Sequence, residues 1–124
     1  MRSTTSPLTL RQQGGAMVAN FHQITTLDQT VGDAIGDQLV ELVESHGCRR
    51  LVLDFTGVRY IASSVLGRLI GLKKRMEALD GELKLCSLDP EIHRMFNAMG
   101  LAGVFDIYSD ETKALSAFRG SMIG

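Results

Sequence analysis

Apolar residues in this chain keep two different rhythms, and the rhythms take turns. Leu8-Thr-Leu-Arg-Gln12 alternates apolar and polar positions, and Ala16-Met-Val-Ala-Asn-Phe21 follows the pair Gly14-Gly15. Alternation puts one set of side chains on one face of an extended strand, and a Gly-Gly pair supplies a tight turn. The two runs therefore predict a β-hairpin. Leu51-Val-Leu-Asp-Phe55 and Glu82-Leu-Lys-Leu-Cys-Ser-Leu88 are apolar on both faces, which predicts strands in the interior of a sheet. A shorter run, Val104-Phe-Asp-Ile-Tyr108, predicts a last strand.

Between these runs the period changes to that of a helix. Val31, Ile35, Leu39 and Leu42, with Val43, predict a first helix with Thr30 as its cap, Asp33 reaching back in a capping box and Gly47 as its stop. Gly32 and Gly36 weaken it, each by about 1 kcal/mol relative to alanine. Val65, Leu69, Leu72, Met76 and Leu79, with Leu66 and Ile70 beside them, predict a second helix. Asp89-Pro90 starts a third, striped by Ile92, Met95, Phe96 and Met99 and ended by Gly100. Ser109 caps a fourth, with Asp110 and Glu111 in its first turn. Met76, Met95 and Met99 are all expected in the core.

The order is β-β-α-β-α-β-α-β-α. It predicts an α/β fold: a mixed sheet with an N-terminal hairpin followed by β/α units, right-handed crossovers and helices packed on the sheet. A chain of 124 residues is expected to form one domain. We place it at 8–120, with short tails at 1–7 and 121–124.

Composition narrows the function mainly by exclusion. Hydrophobic residues make up 44% and charged residues 22%, ordinary for a globular protein. A formal net charge of -1 gives no electrostatic reason to expect nucleic acid or an anionic membrane as partner. No apolar run approaches the roughly 20 residues of a membrane span. The N-terminal "MRSTTSPLTL" lacks the apolar centre of a signal peptide, so a cytoplasmic location is expected. Cys48 and Cys86 have neither metal-ligand spacing nor a local histidine, and His22, His46 and His93 lie in unlike contexts. Neither a metal nor a cofactor is expected.

The chemistry concentrates at the joint Ala62-Ser63-Ser64-Val65, where an apolar strand has ended and a helix begins. A hydroxyl there can cap the helix, worth about 1 kcal/mol, by accepting from an orphan N–H of the first turn. It can also carry a phosphate, which the positive end of the helix tolerates. No His or Lys is placed by a local motif to act as base for either serine, so an enzyme is not expected. Asp54 ends a strand as a phosphoryl-accepting aspartate does. A receiver domain also needs an acidic cluster after its first strand and a Lys after its last, and "VFDIYSD" offers no Lys. Asp54 is therefore expected to pair with loop N–H groups. Lys73-Lys74-Arg75 reads as a solvated face, with Glu77 pairing to Lys73. The Tyr60 ring is expected to pack under its loop.

The run "LVLDFTGVRYIASSVLGRLIGLKKRM" and the later "ELKLCSLDPEIHRMFNAMGLAGVFDIYSDETKAL" resemble the STAS domain of bacterial anti-sigma-factor antagonists, and the likeness extends from Leu8 onward. Leu27-Asp28 followed by Thr30 matches the acidic loop before that family's first helix. The resemblance implies a protein-binding switch. The unmodified antagonist captures a serine kinase anti-sigma factor, and phosphorylation of the motif's first serine ends the capture. Carried onto this chain, Ser63 is the phospho-acceptor and Ser64 the adjacent hydroxyl and cap. Asp28, Ala62, Ser63, Ser64 and Val65 form the partner-binding surface. Ala62 stands where the family has Asp, and Val65 where it has Gly. An alternative is a non-switching STAS scaffold or sensory component of a larger signalling assembly, in which an exposed Val65 makes a constitutive contact.

Overall fold

A computed structural model describes residues 7–119. Of the expected tails only Pro7 falls within them, and position 120 also lies outside the described residues. The elements are β1 (Leu8–Gln13), β2 (Ala16–Phe21), β3 (Thr26–Leu27), α1 (Gln29–Glu44), β4 (Arg50–Asp54), β5 (Tyr60–Ile61), α2 (Ser63–Ala78), β6 (Glu82–Cys86), α3 (Pro90–Ala98), a 3-10 turn at Leu101–Gly103, β7 (Asp106–Tyr108) and α4 (Glu111–Ser116). The main sheet runs β1-β2-β4-β6-β7. Its β1–β2 pairing is antiparallel and the rest parallel, with Val18 opposite Val52 and Leu53 opposite Leu85. The two doubly apolar runs occupy the interior positions β4 and β6, as their pattern predicts.

The two faces carry different loads. Leu8, Ala19, Phe21, Leu51, Leu53, Leu83 and Leu85 form one core with Ile35 and Leu39 of α1, Leu69 and Met76 of α2, and Ile92 and Phe96 of α3. The Phe21 and Phe55 rings lie 4.8 Å apart within it. On the opposite face Ala16, Val18, Val52 and Cys86 are covered by Ala114 and Phe118. Lys84 is buried on that smaller side, where its ammonium reaches Asp106 at 3.0 Å and Glu82 at 3.3 Å.

Element ends depart from expectation where local backbone decides. Asp28, not Thr30, caps α1: its extended backbone aims the carboxylate at the Val31 N–H, 2.9 Å away. Asp110 rather than Ser109 caps α4, accepting from the Lys113 N–H at 2.9 Å. Asp89 and Pro90 start α3 as predicted. β6 stops at Cys86 because Ser87 adopts a left-handed conformation. β7 is shortened because the N–H groups of Val104 and Phe105 donate to the Leu101 carbonyl of the preceding 3-10 turn, at 3.0 and 3.1 Å. Met99 lies past the last turn of α3 and is 50% exposed, so it leaves the expected core, whereas Met95 is half-buried and Met76 fully buried. The Lys73–Glu77 ion pair forms as predicted.

Candidate functional site

Two short strands that the sequence pattern did not predict build the site. β3 and β5 pair in parallel, Thr26 with Tyr60 and Leu27 with Ile61. Each leads straight into a helix, β3 into α1 and β5 into α2. Strand alternation then turns Leu27 and Ile61 inward, at 1% exposure each, and leaves Tyr60 outside at 54%. That corrects the expectation of a packed Tyr60 ring. The Ala62 N–H donates to the Leu27 carbonyl at 2.9 Å, so the two helices begin side by side and point the same way.

Their packing depends on the two glycines that weakened α1 in the sequence. A Cβ at Gly32 would overlap Cγ2 of Val65, and one at Gly36 would lie 2.7 Å from Cζ of Arg68. Gly32 lets α2 come close at Val65, Gly36 leaves room for the Arg68 guanidinium, and two arginines of α2 then form ion pairs across the seam. Arg68 Nη2 reaches Asp37 Oδ1 at 2.8 Å, and Arg75 Nη1 reaches Glu44 Oε2 at 2.8 Å.

Around this seam the expected site residues fall into three groups. Ser63 and Ser64 are exposed at the first two positions of α2. Asp28 is exposed at the head of α1, its carboxylate engaged as the cap. Ala62 is half-buried. Val65, by contrast, is only 5% exposed and packs into the α1 seam, which corrects the expectation that it presents an apolar contact to a partner.

The assignment of Ser64 as cap is also corrected. The cap position belongs to Ala62, which has no side-chain acceptor, because the bond from its N–H to Leu27 starts the helix two residues early. Neither serine hydroxyl hydrogen-bonds within the described residues. Ser63→Ala and Ser64→Ala should each change stability by less than about 0.5 kcal/mol. Asp28→Ala should remove about 0.5–2 kcal/mol. Urea midpoints of the three variants check this, and a loss at Ser64 as large as that at Asp28 would restore Ser64 as cap.

The remaining candidates lie apart from the seam. Asp54 accepts from the Thr56 N–H at 2.9 Å and from its hydroxyl at 2.6 Å, the loop pairing predicted for it. Burial acts to raise its pKa. Hydrogen bonding with Glu111, Thr56 and Ser87 outweighs that and holds the carboxyl below its ordinary range. Burial pushes the Cys86 thiol up to about 12, leaving it protonated and unreactive. Among the described residues, no three His, Cys, Asp or Glu side chains converge to hold a metal, and no helix is long and apolar enough to cross a membrane.

The family model of the STAS domain matches residues 8–114, nearly all of the described chain. The chain belongs to the STAS domain family. This STAS domain is 30% identical, over 90 residues, to the anti-sigma F factor antagonist of Paenibacillus polymyxa, covering 73% of this chain and 77% of that one. Its fold matches an anti-sigma-factor antagonist (STAS) domain protein from Planctomyces limnophilus with a TM-score of 0.80, at 22% identity, over 92% of this chain and 98% of that one. It also matches the phosphorylated form of the Bacillus cell fate determinant SpoIIAA, at a TM-score of 0.66 and 18% identity, over 86% and 95% of the two chains.

Sequence reasoning missed Arg68 and the β3–β5 pair. Period-two signals need longer strands than two residues, so the pair left no trace in the pattern. Arg68 had a trace: on the α2 stripe it falls beside Val65, Leu69 and Leu72, so it had to lie at the edge of the packed face.

Proposed function

We propose that this STAS domain is an anti-sigma-factor antagonist that acts by binding, not catalysis. It captures a serine kinase anti-sigma factor through the paired helix starts, and a phosphate on Ser63 releases it. The observation that carries this reading is the unbonded, exposed hydroxyl of Ser63 at the uncapped head of α2, next to the Asp28 head of α1. A side chain with no structural task at such a place is free for modification. Phosphorylation adds about -1.5 to -2 charges to it. The modified surface then opposes a docked partner by repulsion and by the desolvation of the phosphate.

The substitutions that set this chain apart from the family motif leave the surface usable. Val65 is absorbed by Gly32, so a partner meets no branched side chain there. Ala62 removes a carboxylate next to Ser63 and leaves the phosphate as the dominant local charge. The scaffold alternative rested on an exposed Val65, and with that side chain buried it has no observation in its favour. The cytoplasm is the location proposed for the antagonist.

The test is capture from host lysate with wild type, Ser63→Ala and Ser63→Asp as baits. An ATP-binding serine kinase should be retained by the first two and lost, at least tenfold, with Ser63→Asp, a change of about 1.4 kcal/mol in binding. Equal retention by all three baits would remove Ser63 as the control point.

A further inference from the structure

The two serines at the head of α2 do not face the same way. At 3.6 residues per turn, Ser64 and Arg68 stand about 40° apart round the axis, whereas Ser63 and Arg68 stand about 140° apart. Helical side chains lean toward the N-terminus, so Arg68 extends over the turn that Ser64 begins.

In the unmodified chain Arg68 is held sideways, against α1. Its Nη2 lies 2.8 Å from Asp37 Oδ1, its Nη1 3.7 Å from Asp33 Oδ1, and Nη2 also donates to the Asp33 carbonyl at 3.4 Å. The guanidinium rests on the bare backbone of Gly36. These contacts are solvated: the side chain of Arg68 is 36% exposed and that of Asp37 80%. Ion pairs so open to water contribute little to stability, so a stronger anion within reach takes the cation.

We propose that Arg68 is a charge-operated clip that answers a phosphate on Ser64 and ignores one on Ser63. A phosphate on Ser64 presents up to two charges and three acceptor oxygens, one turn away on the same helix face. Guanidinium–phosphate pairing is stronger than the present carboxylate contact. Arg68 then swings along α2 and leaves the seam. Asp33 and Asp37, four residues apart on α1, lose their shared cation and repel each other. The first half of α1, which carries Asp28, loosens. A phosphate on Ser63 points away from the seam and acts only on what docks outside. The doublet thus has two outputs, one at the partner surface and one inside the domain. The biological use of this clip rests on the antagonist reading above; its test does not.

The experiment installs phosphoserine during translation at position 63 or at position 64 of the full chain, with no partner present. The Arg68 side-chain Nε–Hε signal is followed by NMR, and the α1 amides by hydrogen exchange. With the phosphate on Ser64, the Arg68 signal should move and amides 33–37 should exchange about three- to tenfold faster, as local opening becomes easier. With the phosphate on Ser63, both should stay as in the unmodified chain. In Arg68→Gln, a phosphate on Ser64 should leave α1 exchange at that variant's own baseline. Equal responses to the two phosphates would overturn the clip, as would an unmoved Arg68 signal with the phosphate on Ser64 or acceleration that persists in Arg68→Gln. Failure of the lysate capture would leave all of these measurements intact, so the two ideas fall separately.

Discussion

Gly32→Ala is expected to destabilise the domain, and to stabilise it once Val65 has also been made alanine. The new methyl would overlap Cγ2 of Val65 across the α1–α2 seam. Val is stiff at χ1 in a helix, so it has no easy rotamer to retreat into, and overpacking of this kind costs about 1–3 kcal/mol. Working against that cost is the gain in helix propensity from Gly to Ala, about 1 kcal/mol. In the wild-type background the clash prevails, giving a net loss of up to about 2 kcal/mol. In a Val65→Ala background the clash is gone and only the gain in propensity remains. The four urea midpoints of the cycle measure the coupling directly. Stabilisation by Gly32→Ala in both backgrounds would mean that the seam is looser than its geometry indicates, and destabilisation in both would mean that Val65 is not the source of the clash.

The second large effect has the opposite sign. Gly67 and Gly71 lie in the middle of α2 on its solvent side, with ordinary helical backbone, and a Cβ on either would meet nothing within 4 Å. Neither glycine is needed for a turn or for close approach, unlike Gly32 and Gly36. Each lowers helix stability by about 0.8–1 kcal/mol relative to alanine. The double variant Gly67→Ala/Gly71→Ala should therefore be about 1.5–2 kcal/mol more stable, near-additive because the new methyls lack shared partners. Thermal and urea unfolding decide it. A loss of stability would show that α2 relies on backbone freedom that its regular geometry does not reveal.

These four glycines show what was legible in the sequence and what was not. The sequence analysis singled out Gly32 and Gly36 as weak points of a helical stripe and passed over Gly67 and Gly71, and only the packing separates those that serve α1–α2 contact from those that serve nothing within the domain. The hairpin, the interior positions of β4 and β6 and the Asp89-Pro90 start were all readable, because they follow from periodicity and local backbone chemistry. The caps of α1, α2 and α4 were not. Near each there are several adjacent candidates, such as Asp28 and Thr30 or Ser109 and Asp110, and the choice depends on the residue at which the preceding strand releases the chain. At α2 a hydrogen bond from Ala62 to Leu27, thirty-five positions back, moves the start away from Ser64. The serines could be singled out from the sequence, but their freedom from structural duty could not. Val65 already headed the apolar stripe of α2 in the sequence, but that it packs into the α1 seam needed knowledge of Gly32, which lies on a different helix.

The pairing of β3 with β5 also limits how this surface can be changed. Its two halves are set by two separate crossovers, and Thr26-Leu27 and Tyr60-Ile61 share one small ladder. Lengthening or redirecting the segment before α1 therefore shifts the head of α2 as well. Retargeting the surface to a different protein calls for paired changes, with residues 22–28 and 56–62 diversified together in one library. Variants altered in only one of the two segments should be recovered mainly as misregistered or unstable chains.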